Sequence, residues 1–308
     1  MNSESLAVLD QQLRAALTNP PLETRRLFHG RGRCWPGLEH ITVDWLQGIV
    51  LVALFREPDA DALQALEAQL LALTESAHWP AGAALLLQQR YRPDSTATWL
   101  AGQAQAQCVI TENRLHYRLD LGSKQNTGLF LDMRLGREWV QANASGKRVL
   151  NLFAYTCGFS VAAMAGGAHS VVNLDMASAA LSRGRDNHRL NGHDLSTVSF
   201  LGHELFKSWG KVRRSGPYDM ILIDPPSFQK GSFVLTQDYA KVLRKLPELL
   251  AEQGCVLACI NDPAIGPDFL IQAMAQEAPG LTYRERLANP PEFSDIDPAS
   301  GLKALLFS

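Results

Sequence analysis

The sequence predicts an α/β protein in which a Rossmann-like, mostly parallel sheet with an antiparallel last strand follows a smaller N-terminal α/β domain. From residue 122 onward, five short apolar strands alternate with helical segments, a pattern typical of a parallel sheet covered on both faces. The last two strands have no helix between them and must therefore pair antiparallel. With 308 residues, of which 46% are hydrophobic, the chain is long enough for two domains.

Composition limits the function classes. The 29 basic and 31 acidic residues give a net charge of −2, so any basic site for nucleic acid must be local. The five cysteines have no zinc-knuckle spacing, which favours free thiols in a reducing cytoplasm and predicts no metal site. No apolar run approaches the ~18 residues of a membrane span, and the N-terminus carries acids where a signal peptide would be basic. Neither a membrane nor a metal is therefore expected as a partner.

Residues 1–34 are predicted to form a basic arm. The segment "LAVLDQQLRAAL" indicates an amphipathic helix that "NPPLE" ends. The following "TRRLFHGRGRCW" places guanidinium groups among aromatic rings, a combination suited to phosphate contact and base stacking. The alternative is a solvated loop around a core aromatic. The candidate RNA contacts are Arg25, Arg26, Arg31 and Arg33.

Residues 35–121 are predicted to form the small α/β domain, which positions the substrate. A first hairpin turns at Gln47-Gly48, and a second turns at Glu112-Asn113. Between them, leucines at helical spacing in "DADALQALEAQLLALTESA" indicate a helix with a buried face. This domain contains no catalytic constellation.

Residues 122–308 are predicted to form the main sheet domain. Its strand–helix pairs are, in order, "RVLNLFAY" with "FSVAAMAGGA", "SVVNLDM" with "ASAALSRGRDNHRLNG", "TVSFLGHE" with "LFKSWGKVRRS", "YDMILIDPP" with "TQDYAKVLRKLPELLAEQG", and "GCVLACIND" with "PDFLIQAMAQEA". The final strands are "LTYRERLAN" and "LKALLFS". The proline-rich "NPPEFSDIDPASG" between them is predicted to be a loop.

Candidate cofactor residues lie at the carboxyl ends of the first three strands, where open α/β sheets bind their ligands. After the first strand, backbone N–H groups at the helix start suit a carboxylate, although Gly158 is the only glycine there and no GxGxxG motif is present. Asp175 suits the ribose hydroxyls of an adenosyl cofactor or, alternatively, the cap of the next helix. Glu204 suits the adenine amino group, with Leu205 beside the ring; the alternative is a solvated glutamate at a helix start.

The fourth strand ends in "ILIDPPSFQKG". Pro225 and Pro226 lock the backbone directly after Asp224, so the loop cannot join the sheet. The segment resembles the loop from which methyltransferases that act on planar nitrogen present an acidic or amide side chain to the target N–H and stack an aromatic ring on the base. Asp224 and Phe228 fit those two roles. The alternative is a helix-capping aspartate followed by a proline turn.

Residues from about 111 to 308 resemble the ribosomal-RNA large-subunit methyltransferases, which are class I S-adenosylmethionine (SAM) methyltransferases. Three blocks carry the resemblance: "QNTGLFLDMRLGR", "VLNLFAYTCGFSVAA" and "YDMILIDPPSFQKGSF". It implies SAM as cofactor and a first block that packs over it, in which Arg134 falls one residue short of the family spacing. The resulting cofactor-binding candidates are Thr127, Phe130, Asp132, Arg134, Asn151, Phe153, Tyr155, Thr156, Gly158, Asp175, Met176, Glu204, Leu205 and Asp224.

The resemblance also bears on the atom that is methylated. Members that make 5-methylcytosine carry a nucleophilic cysteine in the loop after the fifth strand, where this chain has Asn261. It therefore implies methylation of a nitrogen in an RNA base, with ribosomal RNA as the first candidate and no covalent intermediate. The alternatives are cytosine-C5 methylation through Cys259 and a SAM-binding RNA assembly factor without turnover. Cys157 is expected to face the cofactor. The catalytic candidates are Asp224, Pro225, Pro226, Phe228 and Asn261.

Overall fold

The chain divides into two units in the computed structural model, which describes residues 1–122, 125–229 and 231–308. Unit 1 comprises Met1–Leu131 and Pro290–Pro298, and unit 2 comprises Asp132–Asn289 and Ala299–Ser308. The segment Pro290–Pro298, which lies between the last two strands in sequence, thus belongs to unit 1.

Unit 1 contains a five-stranded sheet and a separate hairpin. Its elements are α1 (Ser3–Thr18), β1 (Arg25–His29), β2 (Ile41–Trp45), β3 (Ile49–Leu54), α2 (Ala60–Thr74), β4 (Ala84–Gln89), β5 (Ala97–Ala101), β6 (Gln107–Glu112) and β7 (Leu115–Asp120). The sheet order is β1-β2-β3-β4-β5, and only β3 and β4 pair in parallel. Strands β6 and β7 form the hairpin.

The expected arm over residues 1–34 is instead part of unit 1. Helix α1 buries Leu6, Leu9, Leu13 and Leu17 in the same core as the sheet, because their three- and four-residue spacing places them on one helix face. Strand β1 pairs antiparallel with β2 at the sheet edge. Hydrophobic burial therefore makes these residues a component of the domain that follows them.

The two predicted hairpins are present, with one shift. The turn at Gln47-Gly48 is confirmed, since both residues have positive φ (54° and 108°). The second turn lies at Asn113-Arg114 (φ 51° and 64°), one residue later than predicted. Glu112 pairs with Leu115 and is therefore the last residue of β6 rather than a turn residue. A two-residue type I′ turn needs positive φ at both central residues, and Asn113 and Arg114 have it.

Unit 2 contains the main sheet. Its elements are α3 (Arg134–Asn143), β8 (Arg148–Leu152), α4 (Gly158–Ala165), β9 (Ser170–Asp175), α5 (Ser178–Leu190), β10 (Val198–Gly202), α6 (Trp209–Arg214), β11 (Tyr218–Ile223), β12 (Phe228–Gln229), β13 (Phe233–Val234), α7 (Leu235–Leu243), α8 (Leu246–Leu249), β14 (Leu250–Ile260), α9 (Pro267–Glu277), β15 (Tyr283–Leu287) and β16 (Lys303–Phe307).

The main sheet confirms the predicted fold class. Its strand order is β10-β9-β8-β11-β14-β16-β15. The neighbouring strands β10, β9, β8, β11 and β14 pair in parallel, and β16 is antiparallel to both of its neighbours. The order reverses between β8 and β11, so the crevice for a ligand is expected beyond the carboxyl ends of these two strands.

One predicted helix is broken. The segment "TQDYAKVLRKLPELLAEQG" forms α7 and the single turn α8, and its last residues belong to β14. Pro247 explains the break, because proline has no N–H and its ring collides with the carbonyl four residues earlier, at Leu243. None of the helices in the described parts of the chain has the length and apolarity that a bilayer crossing requires.

Candidate active site

The loop after β8 has an unusual backbone. Three of its residues, Phe153, Tyr155 and Cys157, have left-handed φ values of 58°, 47° and 63°, although none of them is glycine. Each such residue costs on the order of 1–3 kcal/mol, and such strain clusters at ligand-binding sites. Alternation of left-handed residues turns successive N–H groups toward a common point that suits an anion. We call residues 153–157 the cofactor loop; helix α4 begins directly after it, at Gly158.

Asp175 ties the cofactor loop to the next helix. One carboxylate oxygen accepts a hydrogen bond from the Tyr155 N–H (2.8 Å), and the other accepts from the Ala177 N–H (2.8 Å). Burial raises the pKa of Asp175, and the two backbone hydrogen bonds act in the opposite direction. Each oxygen keeps a second lone pair, so the carboxylate can still accept the two hydroxyls of a ribose.

A cleft lies beyond the ends of β8, β9 and β10. Five predicted cofactor residues line it, namely Phe153, Asp175, Met176, Glu204 and Leu205. Its other lining residues are Leu174, His203, Phe206, Gln229 and Ser232. Two carboxylates beside apolar and aromatic walls fit the ribose and the purine of an adenosyl group. Of the lining residues, His203, Gln229 and Ser232 carry polar groups that the sequence does not single out.

Glu204 lies at the start of a short helical turn, and its role toward an adenine amino group stays a prediction. Its carboxylate accepts a hydrogen bond from the Phe206 N–H (2.9 Å) and pairs with Lys207 (3.2 Å), so it caps a short helical turn. It also lines the cleft. A hydrogen bond from an adenine amino group would therefore reach a carboxylate that is already held in place.

A second group of predicted residues lies at the ends of β11 and β14. Ile223 pairs with Ala258 in parallel register, so Asp224 and Asn261, which follow these strands, lie at the same edge of the sheet. Phe228 is 67% exposed, which is unusual for an aromatic ring beside a core strand. We call Asp224, Phe228 and Asn261 the substrate edge.

Asp224 is the electrostatic centre of the substrate edge. Burial and, to a smaller extent, the charge of Asp132 raise its pKa to about 7, while Arg137 on α3 acts in the opposite direction. Arg137 is buried, and Arg134 lies at the start of the same helix. The sequence assigns Asp132 and Arg134 to the cofactor; the structure couples Asp132 to Asp224, and a cofactor contact by Arg134 stays a prediction.

The raised pKa of Asp224 predicts a pH dependence of stability. Because the folded state holds this proton up to about pH 7, whereas an unfolded aspartate releases it near pH 4, Asp224 makes the free energy of unfolding decrease as the pH rises through that window. Urea denaturation of the wild type and of Asp224→Asn between about pH 4 and 8 measures this contribution. The variant should lose less stability than the wild type over the window; parallel pH profiles would contradict the prediction.

Tyr239 is a site residue that the sequence does not reveal. Its hydroxyl donates to the carbonyl of Cys259 (3.0 Å) and lies 3.4 Å from the carbonyl of Ile223, so it connects the ends of β14 and β11. Its ring is fully buried, and burial raises its pKa well above the ordinary value. In the sequence it is only one apolar position of an amphipathic helix.

The two cysteines near the site are buried. Burial, together with the charges of Asp224 and Asp132, raises the pKa of Cys259 well above its ordinary value. Cys157 is also inaccessible, and burial raises its pKa. The expectation that Cys157 faces the cofactor is wrong, because its sulfur packs against Gly184 of α5, where an added Cβ would lie 2.3 Å from Sγ.

Three other predicted cofactor residues are not among those that line the cleft. Asn151 is buried in the sheet, where its amide donates to Asn173 (2.9 Å) in a network that continues to Ser160 and His188. Thr127 and Phe130 belong to unit 1. Asn151 is thus held by other partners, and cofactor contacts by the other two remain predictions.

The arginines of the expected arm are largely engaged within unit 1. Their partners are Glu23 for Arg25 (3.3 Å), Asp44 for Arg26 and Asp295 for Arg33 (2.9 Å), while Arg31 lies over the ring of Phe55 (4.3 Å). At least three of the four charges are therefore compensated by carboxylates, and the open basic arm expected from the sequence is not observed. Within the described ranges, no group of three or more His, Cys, Asp or Glu side chains could hold a metal ion.

Comparison with known proteins agrees with this geometry. The family model of S-adenosylmethionine-dependent methyltransferases matches residues 25–308. A ribosomal RNA large subunit methyltransferase I from Aeromonas salmonicida is 39% identical over 153 residues, which are 48% of this chain and 39% of that protein. YwbD of Bacillus subtilis, provisionally named a ribosomal RNA large subunit methyltransferase, is 28% identical over 291 residues, 88% of this chain and 70% of that protein. The match to the Aeromonas protein thus spans well under half of its length.

Solved structures give the same assignment. A protein from Streptococcus mutans, provisionally described as a SAM-dependent methyltransferase, superposes with a TM-score of 0.85 at 26% identity, over 99% of this chain and 81% of that one. A similar methyltransferase structure, complexed with S-adenosylhomocysteine (SAH), has a TM-score of 0.85 at 27% identity and covers 98% and 80% of the two chains. This protein belongs to the S-adenosylmethionine-dependent methyltransferase family, and SAM is its cofactor.

Proposed function

We propose that this protein transfers the methyl group of SAM to a nitrogen of a base in RNA, without a covalent enzyme–RNA intermediate. Ribosomal RNA is the first candidate substrate, because the Aeromonas relative is named a ribosomal RNA large subunit methyltransferase and YwbD is provisionally named one. The observation that carries the proposal is the substrate edge, where the exposed ring of Phe228 follows the proline-locked Asp224. A cytoplasmic location fits this substrate and the five free thiols.

The proposed cofactor site is the cleft beside the cofactor loop. Asp175 would hold the ribose, Glu204 the adenine amino group, and Met176, Leu205 and Phe153 would line the ring and its surroundings. When bound there, SAM supplies a methyl carbon that is electrophilic because it is attached to a sulfonium.

The chain's own contribution is placement and proton acceptance. Phe228 stacks on the base, and Asp224 accepts a hydrogen bond from the base N–H, which directs the nitrogen toward the methyl carbon. Such positioning accounts for up to ~7–11 kcal/mol in favourable cases. A carboxylate with a pKa of about 7 is also suited to take the proton that the nitrogen loses. Asn261 offers a further amide at the same edge.

The buried state of Cys259 supports nitrogen over carbon as the target. Attack on C6 of cytosine requires a thiolate held over the ring. A buried thiol whose pKa is raised well above its ordinary value by burial and by the charges of two carboxylates forms that thiolate poorly. Asn261, one strand position beyond the buried segment, has no nucleophilic sulfur.

We expect Cys259→Ser and Cys259→Ala to retain most methyl transfer, since neither removes a group that acts on the base. RNA that contains 5-fluorocytidine should give no adduct that survives denaturing electrophoresis. Cys157→Ser is the matched control for replacing a buried thiol near the site. A SAM-dependent adduct that disappears only in the Cys259 variants would make cytosine-C5 methylation the correct function.

RNA binding by unit 1 has less direct structural support than methyl transfer at the substrate edge. Arg31 and Arg33 are exposed, whereas Arg26 is partly buried against Asp44. Arg31→Ala with Arg33→Ala should weaken RNA binding and reduce the log–log salt slope by about 0.7–0.9 for each phosphate that the variant no longer neutralises. Arg26→Ala should mainly lower thermal stability. An unchanged salt slope in the double variant would show that these arginines only support the fold.

The substrate itself is best identified by mass spectrometry of ribosomal RNA nucleosides from a strain that lacks the gene. One methylated nucleoside should disappear and should return with the wild-type gene but not with Asp224→Ala. Formation of SAH by the purified protein separates an enzyme from an RNA assembly factor that binds SAM without turnover.

A further inference from the structure

We infer that helix α5 holds the cofactor loop in its strained conformation before SAM binds, with Asn187 and Gly184 as the positioning residues. This inference rests on the proposed cofactor site. It addresses a feature that the site alone does not explain, namely how a loop without glycine at its left-handed positions keeps that conformation.

The cofactor loop needs external support. Phe153, Tyr155 and Cys157 all have side chains that disfavour a positive φ. In a glycine-rich loop the same φ values would carry no steric penalty. Strained residues of this kind persist only where the surrounding structure over-determines them. The contacts around the loop should therefore include the groups that hold it.

Asn187 provides the first of these contacts. Its side chain is 1% exposed, and its amide donates to the carbonyl of Thr156 (3.1 Å), which lies between two left-handed residues. On the other side of the same peptide, the Cys157 N–H donates to the Ala154 carbonyl (2.7 Å). The peptide between Thr156 and Cys157 is thus fixed at its oxygen and at its nitrogen.

Gly184 provides the second contact, one helical turn before Asn187 on the same face of α5. A Cβ at this position would lie 2.3 Å from the sulfur and 2.9 Å from the Cβ of Cys157. Only a residue without a side chain therefore lets Cys157 pack directly against the helix. The left-handed residue at the start of α4 is held by this close approach.

Support from both sides orients the start of α4 before the cofactor arrives. Asp175 fixes the Tyr155 N–H from the strand side, and α5 fixes the Thr156–Cys157 peptide from the helix side. A loop that is already ordered loses less conformational entropy when it binds a ligand. We therefore expect the support from α5 to contribute directly to SAM affinity.

The test compares Asn187→Asp and Asn187→Ala with the wild type. The aspartate has nearly the same shape but cannot donate to the Thr156 carbonyl when ionised. Loss of a buried hydrogen bond predicts a SAM Kd that is about 5- to 100-fold higher by calorimetry. Hydrogen exchange of the amides from 154 to 158 in the cofactor-free variants should be faster than in the wild type. Asn191→Ala is the matched control, because Asn191 also donates to a backbone carbonyl, that of Asn187, which lies within α5.

A second pair of variants tests the close approach independently of Asn187. Gly184→Ala should raise the SAM Kd and the exchange rates of the loop. Adding Cys157→Gly to it should restore both, because glycine removes the colliding atoms and tolerates the φ of 63°. This rescue would not occur if Gly184→Ala only destabilised the helix.

Unchanged SAM affinity and loop exchange in the Asn187 variants, or a failure of Cys157→Gly to rescue Gly184→Ala, would overturn the inference. The exchange measurements need no cofactor, so they decide whether α5 holds the loop even if the wild type fails to bind SAM. That failure would count against the proposed cofactor site, and it would be visible in the wild type alone.

Discussion

Replacing Asp224 with alanine is expected to abolish methyl transfer while SAM affinity stays nearly unchanged. The carboxylate lies at the substrate edge, and its proposed tasks are to orient the base nitrogen and to accept its proton. Loss of a positioned acid or base typically costs 10²–10⁴-fold in rate, and loss of orientation adds to this. Single-turnover methylation of RNA and calorimetry with SAM measure the two quantities separately.

Asp224→Asn separates the two tasks of the carboxylate. The amide oxygen can still accept a hydrogen bond from the base, but it cannot take up the proton. We therefore expect an intermediate rate for this variant if both tasks matter. Phe228→Ala should instead weaken RNA binding as well as turnover, because it removes the stacking surface. Normal turnover by Asp224→Ala would mean that the proline-locked loop serves only the architecture of the sheet.

Residues at strand ends could be predicted from the sequence, because their position follows from the alternation of strands and helices alone. Asp175 ends a short strand, Glu204 and Asp224 come after the next two strands of the parallel sheet along the chain, and parallel strands bring such ends to one edge of the sheet. The antiparallel pairing of the last two strands could also be predicted, since no crossover separates β15 from β16. These predictions needed only the periodicity of the hydrophobic residues and the order of strands and helices along the chain.

Features that depend on packing between distant segments could not be predicted. Asn187 and Gly184 look like ordinary residues of a surface helix, and only the structure brings them against Thr156 and Cys157. From the sequence alone, the arginines of residues 25–33 look solvated. Two of their acidic partners, Asp44 and Asp295, are distant in sequence, so the pattern does not reveal them. Charge in a sequence identifies a basic segment but not whether the fold supplies its counterions.

The cofactor site can be tested through Asp175, for which we expect a large loss of SAM affinity in Asp175→Ala. A charged hydrogen-bond acceptor would be removed from the ribose, at a cost of about 1–3 kcal/mol, which is roughly a 5- to 150-fold increase in Kd. The same change removes the hydrogen bond from the Tyr155 N–H to Asp175 and loosens the cofactor loop, so the loss should lie toward the upper end of this range. Calorimetry with SAM measures it directly.

Asp194→Ala is the matched control for this experiment. The Asp194 carboxylate accepts a hydrogen bond from the N–H two residues later, as that of Asp175 does, but Asp194 does not line the cleft. Its replacement should leave SAM affinity unchanged, and equal affinity in Asp175→Ala would remove Asp175 from the site. Because SAM and SAH carry the same ribose, Asp175→Ala should weaken both by the same factor. A loss confined to SAM would mean that this carboxylate interacts with the positive sulfonium, since that charge is the difference between the two ligands.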